Sequence, residues 1–261
     1  MVYGQREHAM RAMILAAGLG TRLRPLSNSV PKPLLPVAGR PLIVWNLLLL
    51  RRHGITEVII NLHHLGHLIE KELGDGSRFG MHLAYSREPA ILGTGGGIKQ
   101  AEAFFGGAPF LVLNGDTLLE VDLEDLSGFH AGHGALATLV VRDDPEVDRW
   151  GAVEVDEQQG VISITGRGRK PVDRTARVRR FMFAGVHVMD PRLLATVPLG
   201  RASSIIDAYV ESIKRGDRVL GYRMEGYWSD VGTPESYARV QRDAERGLIN
   251  LAGREKVLES R

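Results

Sequence analysis

Ala16-Ala17-Gly18-Leu19-Gly20-Thr21-Arg22-Leu23-Arg24-Pro25-Leu26, with Pro31-Lys32-Pro33 close behind, follows directly on the apolar run Arg11–Ala16. A short apolar run that ends in glycine suits a buried strand, and the cationic segment beyond it admits two readings. One is a glycine turn with surface cations. The other is a phosphate-holding loop, in which glycines let backbone N–H groups approach an anion while Arg22 and Lys32 neutralise its charge. In an open parallel sheet, ligands sit beyond the carboxyl ends of the strands, where this loop lies. Two familiar phosphate loops fail on spacing: Gly18-Leu19-Gly20-Thr21-Arg22-Leu23 lacks the third glycine of a dinucleotide fingerprint, and no Gly-Lys-Ser/Thr ending makes it a P-loop.

Outward from the loop, strand and helix signals alternate. PLIVWNLLLLRRH (41–53) reads as a helix with Pro at its start and Gly54 as its stop. TEVIINL (56–62) reads as a strand, 65–73 as a helix, 81–86 as a strand, 96–105 as a helix, and FLVL (110–113) as a short buried strand. This rhythm predicts a parallel sheet with helices on both faces. After Ala135 the texture changes to ALATLVV, GAVEV, GVISI and FMFAGVHVM, strands with short connections that suggest mixed or antiparallel additions, with helices expected around 203–214 and 233–246. The expectation is one domain over residues 10–248, its first half binding nucleotide and its second half built onto it, flanked by a disordered tail at 1–9 and a charged tail at 249–261.

Composition narrows the partners. The net charge is +2, from 33 basic and 31 acidic residues, so no general attraction to nucleic acid or an anionic membrane follows. The absence of cysteine removes disulfides and thiolate metal sites and fits a reducing, cytoplasmic setting. No apolar run approaches the ~18 residues of a membrane span, and the first residues lack the apolar centre of a signal peptide.

Taken whole, A-A-G-x-G-T-R-L-x-P-L, then P-K-P and Val37-Ala38-Gly39-Arg40-Pro41-Leu42, resembles the signature of the sugar-1-phosphate nucleotidylyltransferases. Four further motifs appear in that family's order: Leu92-Gly93-Thr94-Gly95-Gly96-Gly97, Asn114-Gly115-Asp116, Phe183-Ala184-Gly185-Val186 and Trp228-Ser229-Asp230-Val231-Gly232-Thr233. The resemblance implies a Rossmann-like three-layer α/β/α domain with a mixed, mainly parallel sheet, of the nucleotide-diphospho-sugar transferase type. It implies attack of a sugar 1-phosphate on the α-phosphorus of a nucleoside triphosphate, with Mg²⁺ held by Asp116 and Asp230. Arg22 would brace the departing pyrophosphate, and Lys32 would bridge phosphates near the reaction centre. Nucleotide contacts are expected from Leu15, Ala16, Ala17, Gly18, Gly20, Thr21, Glu88, Gly93, Thr94 and Gly95. Sugar-phosphate contacts are expected from Asn114, Gly151, Arg167, Lys170 and Gly185.

The chemistry suits these residue types. The nucleophile is already an anionic oxygen, so no general base is required, in keeping with the lack of a recognisable Ser-His-Asp arrangement. The obstacle is electrostatic, because two polyanions must meet in line. His63, His64 and His67 invite a metal reading, but no third ligand is evident, and they read as surface or sheet-edge residues. Specificity is less legible: a Glu88 carboxylate suits guanine or uracil. Where many relatives carry Glu-Lys-Pro, this chain reads Thr165-Gly166-Arg167-Gly168-Arg169-Lys170-Pro171. Residues 167–180 hold seven basic residues against one acidic, either a solvated loop or a lid for a sugar with its own carboxylate. The subfamilies resembled are the short N-acetylmuramate-1-phosphate uridylyltransferases and the mannose- or heptose-1-phosphate guanylyltransferases, as monomer or homo-oligomer. Two alternatives belong to other classes: a non-catalytic sugar-nucleotide-binding regulator, and a cytidylyltransferase acting on a phosphorylated alcohol.

Overall fold

The computed structural model describes residues 10–169 and 177–249. Its first half alternates as the pattern predicts. Strand β1 (Arg11–Leu15) leads through the glycine loop and a small ribbon, β2 (Pro36–Val37) with β3 (Arg40–Pro41), into helix α1 (Leu42–Arg52). Strand β4 (Glu57–Leu62), helix α2 (Gly66–Leu73), strand β5 (His82–Arg87), helix α3 (Gly93–Gln100) and strand β6 (Phe110–Asn114) follow. Strands β6, β1, β4 and β5 lie side by side and all run parallel. Their apolar residues alternate between two faces, the period-2 signature of a sheet covered on both sides. Ala12 and Ile14 join the cluster under α1 and α2, while Met13 joins the one under α3.

The second half adds the mixed part. A short strand β7 (Thr117–Leu119), helix α4 (Leu123–His133), strand β8 (Ala137–Arg142) and the single turn α5 (Val147–Trp150) come first. Strands β9 (Ala152–Val155), β10 (Val161–Ile164) and β11 (Arg167–Gly168) then lead to the long β12 (Arg179–Met189). Helix α6 (Ile205–Arg215), strands β13 (Val219–Arg223) and β14 (Trp228–Asp230), and helix α7 (Pro234–Glu245) complete the chain. Strand β12 is the junction: it runs antiparallel to β6, β8 and β9. The result is a three-layer α/β/α fold with a largely parallel core and a mixed extension. Among the described residues no helix is long and apolar enough to cross a membrane.

Two differences from the sequence reading have physical causes. Helix α4 was not anticipated, because Gly128 and Gly132 weaken its helical signal. Asp122 nonetheless starts it by accepting from the N–H groups of Glu124 and Asp125. Helix α3 begins at Gly93 rather than 96, so glycines expected as a loop form its first turns. They are required there by close packing: a Cβ on Gly95 would lie 2.8 Å from the Ser203 hydroxyl, and one on Gly97 2.6 Å from Glu88 Oε1.

Candidate active site

The carboxyl ends of β1, β4 and β6 meet at one rim, with Leu15 beside Asn61 and Asn114. The loop after β1 turns at Gly20, whose φ is +62° and whose absent Cβ would press on Ser27 and Lys32 at 3.2 and 3.3 Å. The Ser27 hydroxyl closes the turn by donating to the Gly20 carbonyl at 2.7 Å. Lys32 is thereby carried inward, is only 8% exposed, and donates from Nζ to Asp116 Oδ2 at 2.6 Å.

Asp116 and Asp230 are joined by a ribbon. Strand β14 pairs antiparallel with β7, setting Asp230 opposite Thr117, and the Val231 N–H donates to the Asp116 carbonyl at 2.9 Å. Asp230 ends β14, whereas Asp116 sits in the tight turn between β6 and β7. Gly232 leaves room for the cluster, since a Cβ there would overlap the Asp230 carboxylate and stand 3.0 Å from the Arg22 guanidinium. Burial raises the Asp230 pKa above its ordinary value, and the Asp116 charge raises it further, against opposing pulls from Lys32 and Arg22. The four residues expected to act on phosphates therefore form one electrostatic unit.

A cleft of about 240 Å³ opens beside this cluster, lined among others by Leu15, Ala17, Gly18, Glu88, Gly93, Thr94, Asn114 and Asp116. Behind it runs a hydrogen-bond chain. The Ala16 N–H donates to Asn61 Oδ1 at 2.7 Å, Asn61 Nδ2 donates to Glu88 Oε1 at 2.7 Å, and the Leu92 N–H donates to Glu88 Oε2 at 2.9 Å. Glu88, 4% exposed, is thus held on both oxygens by the protein while still facing the cleft. Asn61 and Ile91 line the cleft too and were not singled out from the sequence. The detectable signal for Asn61 was a lone amide at the end of the apolar strand TEVIINL.

The other expected residues are distributed unevenly. Ala16 is buried in the wall. Gly95 donates its N–H to the Ser203 carbonyl at 2.9 Å, behind the cleft rather than in it. Thr21 is exposed on the loop and Gly20 shapes the turn. Gly185 (φ +82°) sits in a register shift of β12 against β8, where a Cβ would lie 2.8 Å from Asn114 Nδ2. Gly151 (φ +85°) lies against Thr165. Arg167 is half exposed and paired to Asp207 at 2.7 Å, on the first turn of α6; no contact with the cleft accompanies that pairing. Lys170 lies outside the described residues. Of the basic run, Arg167, Arg179 and Arg180 are ion-paired at the surface, to Asp207, Asp143 and Asp148. His63 is not in a helix with His67: it precedes α2, and its Nδ1 meets the Glu88 carbonyl at 2.8 Å. No group of three or more His, Asp or Glu suited to a metal occurs among the described residues, leaving the Asp116–Asp230 pair.

The sequence profile of the nucleotidyl transferase family matches residues 11–247. An N-acetylmuramate alpha-1-phosphate uridylyltransferase from Neisseria meningitidis serogroup B is 38% identical over 229 residues, covering 86% of this chain and 94% of that protein. A mannose-1-phosphate guanylyltransferase from Mycobacterium tuberculosis is 34% identical over 243 residues, and the alignment covers 92% of this chain but 66% of that longer protein. Among solved structures, the UTP-bound UGPase from Acinetobacter baumannii superposes with a TM-score of 0.75 at 22% identity, covering 93% of this chain and 95% of that one. That last likeness speaks for the fold.

Proposed function

The chain belongs to the nucleotidyl transferase family and is a sugar-1-phosphate nucleotidylyltransferase; from that premise we propose that it transfers uridylyl from UTP to N-acetylmuramate 1-phosphate, releasing pyrophosphate. The observation that carries the substrate assignment is the 38% identity with a uridylyltransferase of nearly the same length, 94% of which this chain spans. The cleft supports the base. Guanine is recognised by a carboxylate that offers both oxygens to N1–H and N2–H₂. Here each Glu88 oxygen accepts one protein hydrogen bond, from Asn61 or Leu92, and keeps a second lone pair for the base, so the carboxylate also serves the single N3–H of a pyrimidine.

The residues divide the chemistry. The donor set at the rim, two adjacent carboxylates that resist sharing negative charge, fits a hard divalent cation, so Asp116 and Asp230 would hold Mg²⁺. When bound, that ion would supply positive charge to the oxygens of the α-phosphate and the leaving group. Lys32, fixed beside Asp116, neutralises phosphate charge from the buried side. Arg22, exposed on the loop but reaching Gly232, does so from the solvent side, where pyrophosphate departs. Asn114 and Gly185 form the wall that meets the sugar phosphate. No side chain is needed as a base, because the attacking phosphate oxygen is already ionised.

Pyrophosphate release tests the assignment, with UTP, GTP, CTP, ATP and dTTP each paired with N-acetylmuramate, N-acetylglucosamine, mannose and heptose 1-phosphates. Turnover concentrated in the UTP and N-acetylmuramate pair is the expected result. Turnover confined to GTP with mannose or heptose 1-phosphate overturns it.

A further inference from the structure

Arg142 ends strand β8 on the same side of the molecule as the rim, because β8 is antiparallel to β12 and β12 is antiparallel to β6. It is partly buried, and its guanidinium lies over the Trp228 ring, 5.3 Å from the centroid. Trp228 ties this arginine to the sugar wall from two directions. Its Nε1 donates to the Ala184 carbonyl at 3.0 Å, immediately before Gly185. Its ring meets Trp150 edge-to-face at 5.5 Å, immediately before Gly151. Arg142 therefore stands over the aromatic pair that sets both glycines expected to meet the hexose.

Its lack of an ion pair distinguishes it from its neighbours. Arg149 pairs with Glu146, Arg179 with Asp143, Arg180 with Asp148, and Arg223 with both Asp143 and Glu225. Arg142 has no carboxylate partner among the described residues. Its hydrogen bond is from Nε to the adjacent Asp143 carbonyl at 3.3 Å, which leaves the outer fork of the guanidinium uncommitted. It also lines an open cleft of about 210 Å³ with Asp143, Arg223, Met224, Glu225 and Gly226, in which both carboxylates are paired to Arg223. A guanidinium placed over an aromatic ring, partly withdrawn from water and without a carboxylate partner, is arranged to take a carboxylate in two parallel hydrogen bonds.

We infer that Arg142 is a specificity-determining residue that reads an anionic substituent on the hexose, such as the lactyl ether carboxylate that distinguishes N-acetylmuramate from N-acetylglucosamine. This rests on the substrate reading above, which gives the sugar its carboxylate. Trp228 acts here as the positioning residue, holding the guanidinium in place.

The test compares wild type with Arg142→Gln and Arg142→Lys on N-acetylmuramate and N-acetylglucosamine 1-phosphates, each at saturating UTP. The apparent KM is measured for each sugar, or the Ki as a competitor where turnover is slow. Thermal midpoints check folding. The ratio of the two constants in Arg142→Gln should move against N-acetylmuramate by roughly 10- to 100-fold, the size expected for losing a charge-assisted, bidentate contact. Arg142→Lys should recover part of it. An unchanged ratio, whether both constants rise together or neither moves, overturns the role of Arg142 while leaving the uridylyltransferase assignment intact. Failure of that assignment would appear separately, as wild type turning over an uncharged hexose phosphate in preference, and it would remove this inference with it.

Discussion

Adding one methyl group at Gly185 tests the geometry of the sugar wall. Gly185 has φ +82°, and a Cβ there would lie 2.8 Å from Asn114 Nδ2, 3.2 Å from its Cγ and 3.3 Å from its Cβ. Two costs follow for Gly185→Ala. Holding an L-residue in a left-handed conformation costs about 1–2 kcal/mol. Driving Asn114 off its rotamer costs about 0.5–1.5 kcal/mol more. At about 2–4 °C per kcal/mol for a chain of this size, the thermal midpoint should fall by roughly 3–14 °C. The control is Gly216→Ala, at the end of α6, where φ is +85° but nothing lies within 4 Å of the added methyl. It carries the backbone cost alone, so the difference between the two variants isolates the clash with Asn114. Because Asn114 lines the cleft, Gly185→Ala should also raise the KM for sugar phosphate, whereas Gly216→Ala should not change the kinetics. If Gly185→Ala lowers the midpoint no further than the control, or if its KM stays at the wild-type value, the assignment of Gly185 and Asn114 to the sugar wall is refuted.

Three further outcomes are expected. Asp230→Asn should lower turnover by roughly 10²–10³-fold without lowering the thermal midpoint, because burial and Asp116 already oppose the charge it removes; a midpoint drop like that of an ordinary buried deletion would contradict the electrostatic picture. Glu88→Gln keeps the shape but sets an amide donor against Asn61 or the Leu92 N–H, so UTP affinity measured by calorimetry should weaken about 10-fold or more, and unchanged affinity would detach Glu88 from the base. His187 is fully buried, is hydrogen-bonded through Nδ1 to the Tyr209 hydroxyl at 2.7 Å, and has its pKa lowered to about 3 by burial. The unfolded chain binds its proton near the ordinary value of 6.5, so the contribution of neutral His187 is intact above that pH and lost as pH falls toward 3, by up to about 1.4 kcal/mol per pH unit; denaturant titrations of His187→Gln between pH 4 and 6 should show a correspondingly flatter slope.

The parts legible in the sequence are those whose signal is local. Strand β1, its glycine loop and the parallel β–α alternation follow from short apolar runs and their punctuation, and four of the five motifs follow or end a strand, whereas Phe183–Val186 lies within β12. What stayed hidden depends on partners distant in the chain. Glu88 could be read as a free carboxylate for a base because Asn61, 27 residues earlier, does not advertise that it donates to it. The β7–β14 ribbon brings Asp116 and Asp230 together through two three-residue strands, too short for any periodicity to show. The glycines at 93 and 95 read as lying before the helix, since glycine disfavours helix. The constraint on Gly93, Gly95 and Gly96 is the segment 201–205 pressed against α3, and on Gly97 the Glu88 and Asn61 side chains, a tertiary demand that outweighs propensity. Arg167 carried the expectation of a phosphate contact, and its pairing with Asp207, 40 residues later, is one that composition could not reveal.

The charges at the rim also limit how the proposed reaction can begin. Asp116 and Asp230 are balanced by Lys32 and Arg22, so the four groups together present no net charge to draw in a polyanion. Within that balance the carboxylates are poorly placed to bind a cation unaided. Asp116 already has Lys32 at 2.6 Å, and Asp230 is held toward its protonated form by burial and by Asp116. Two carboxylates also fall well short of the six oxygens that Mg²⁺ requires. The missing oxygens have to come from water and from the substrates' own phosphates, so cation and triphosphate affinity should be strongly coupled, each tightening the other. The resting rim, on this reading, is a neutral, preorganised pattern of opposite charges, which becomes an efficient binding site only once metal and nucleotide are present together.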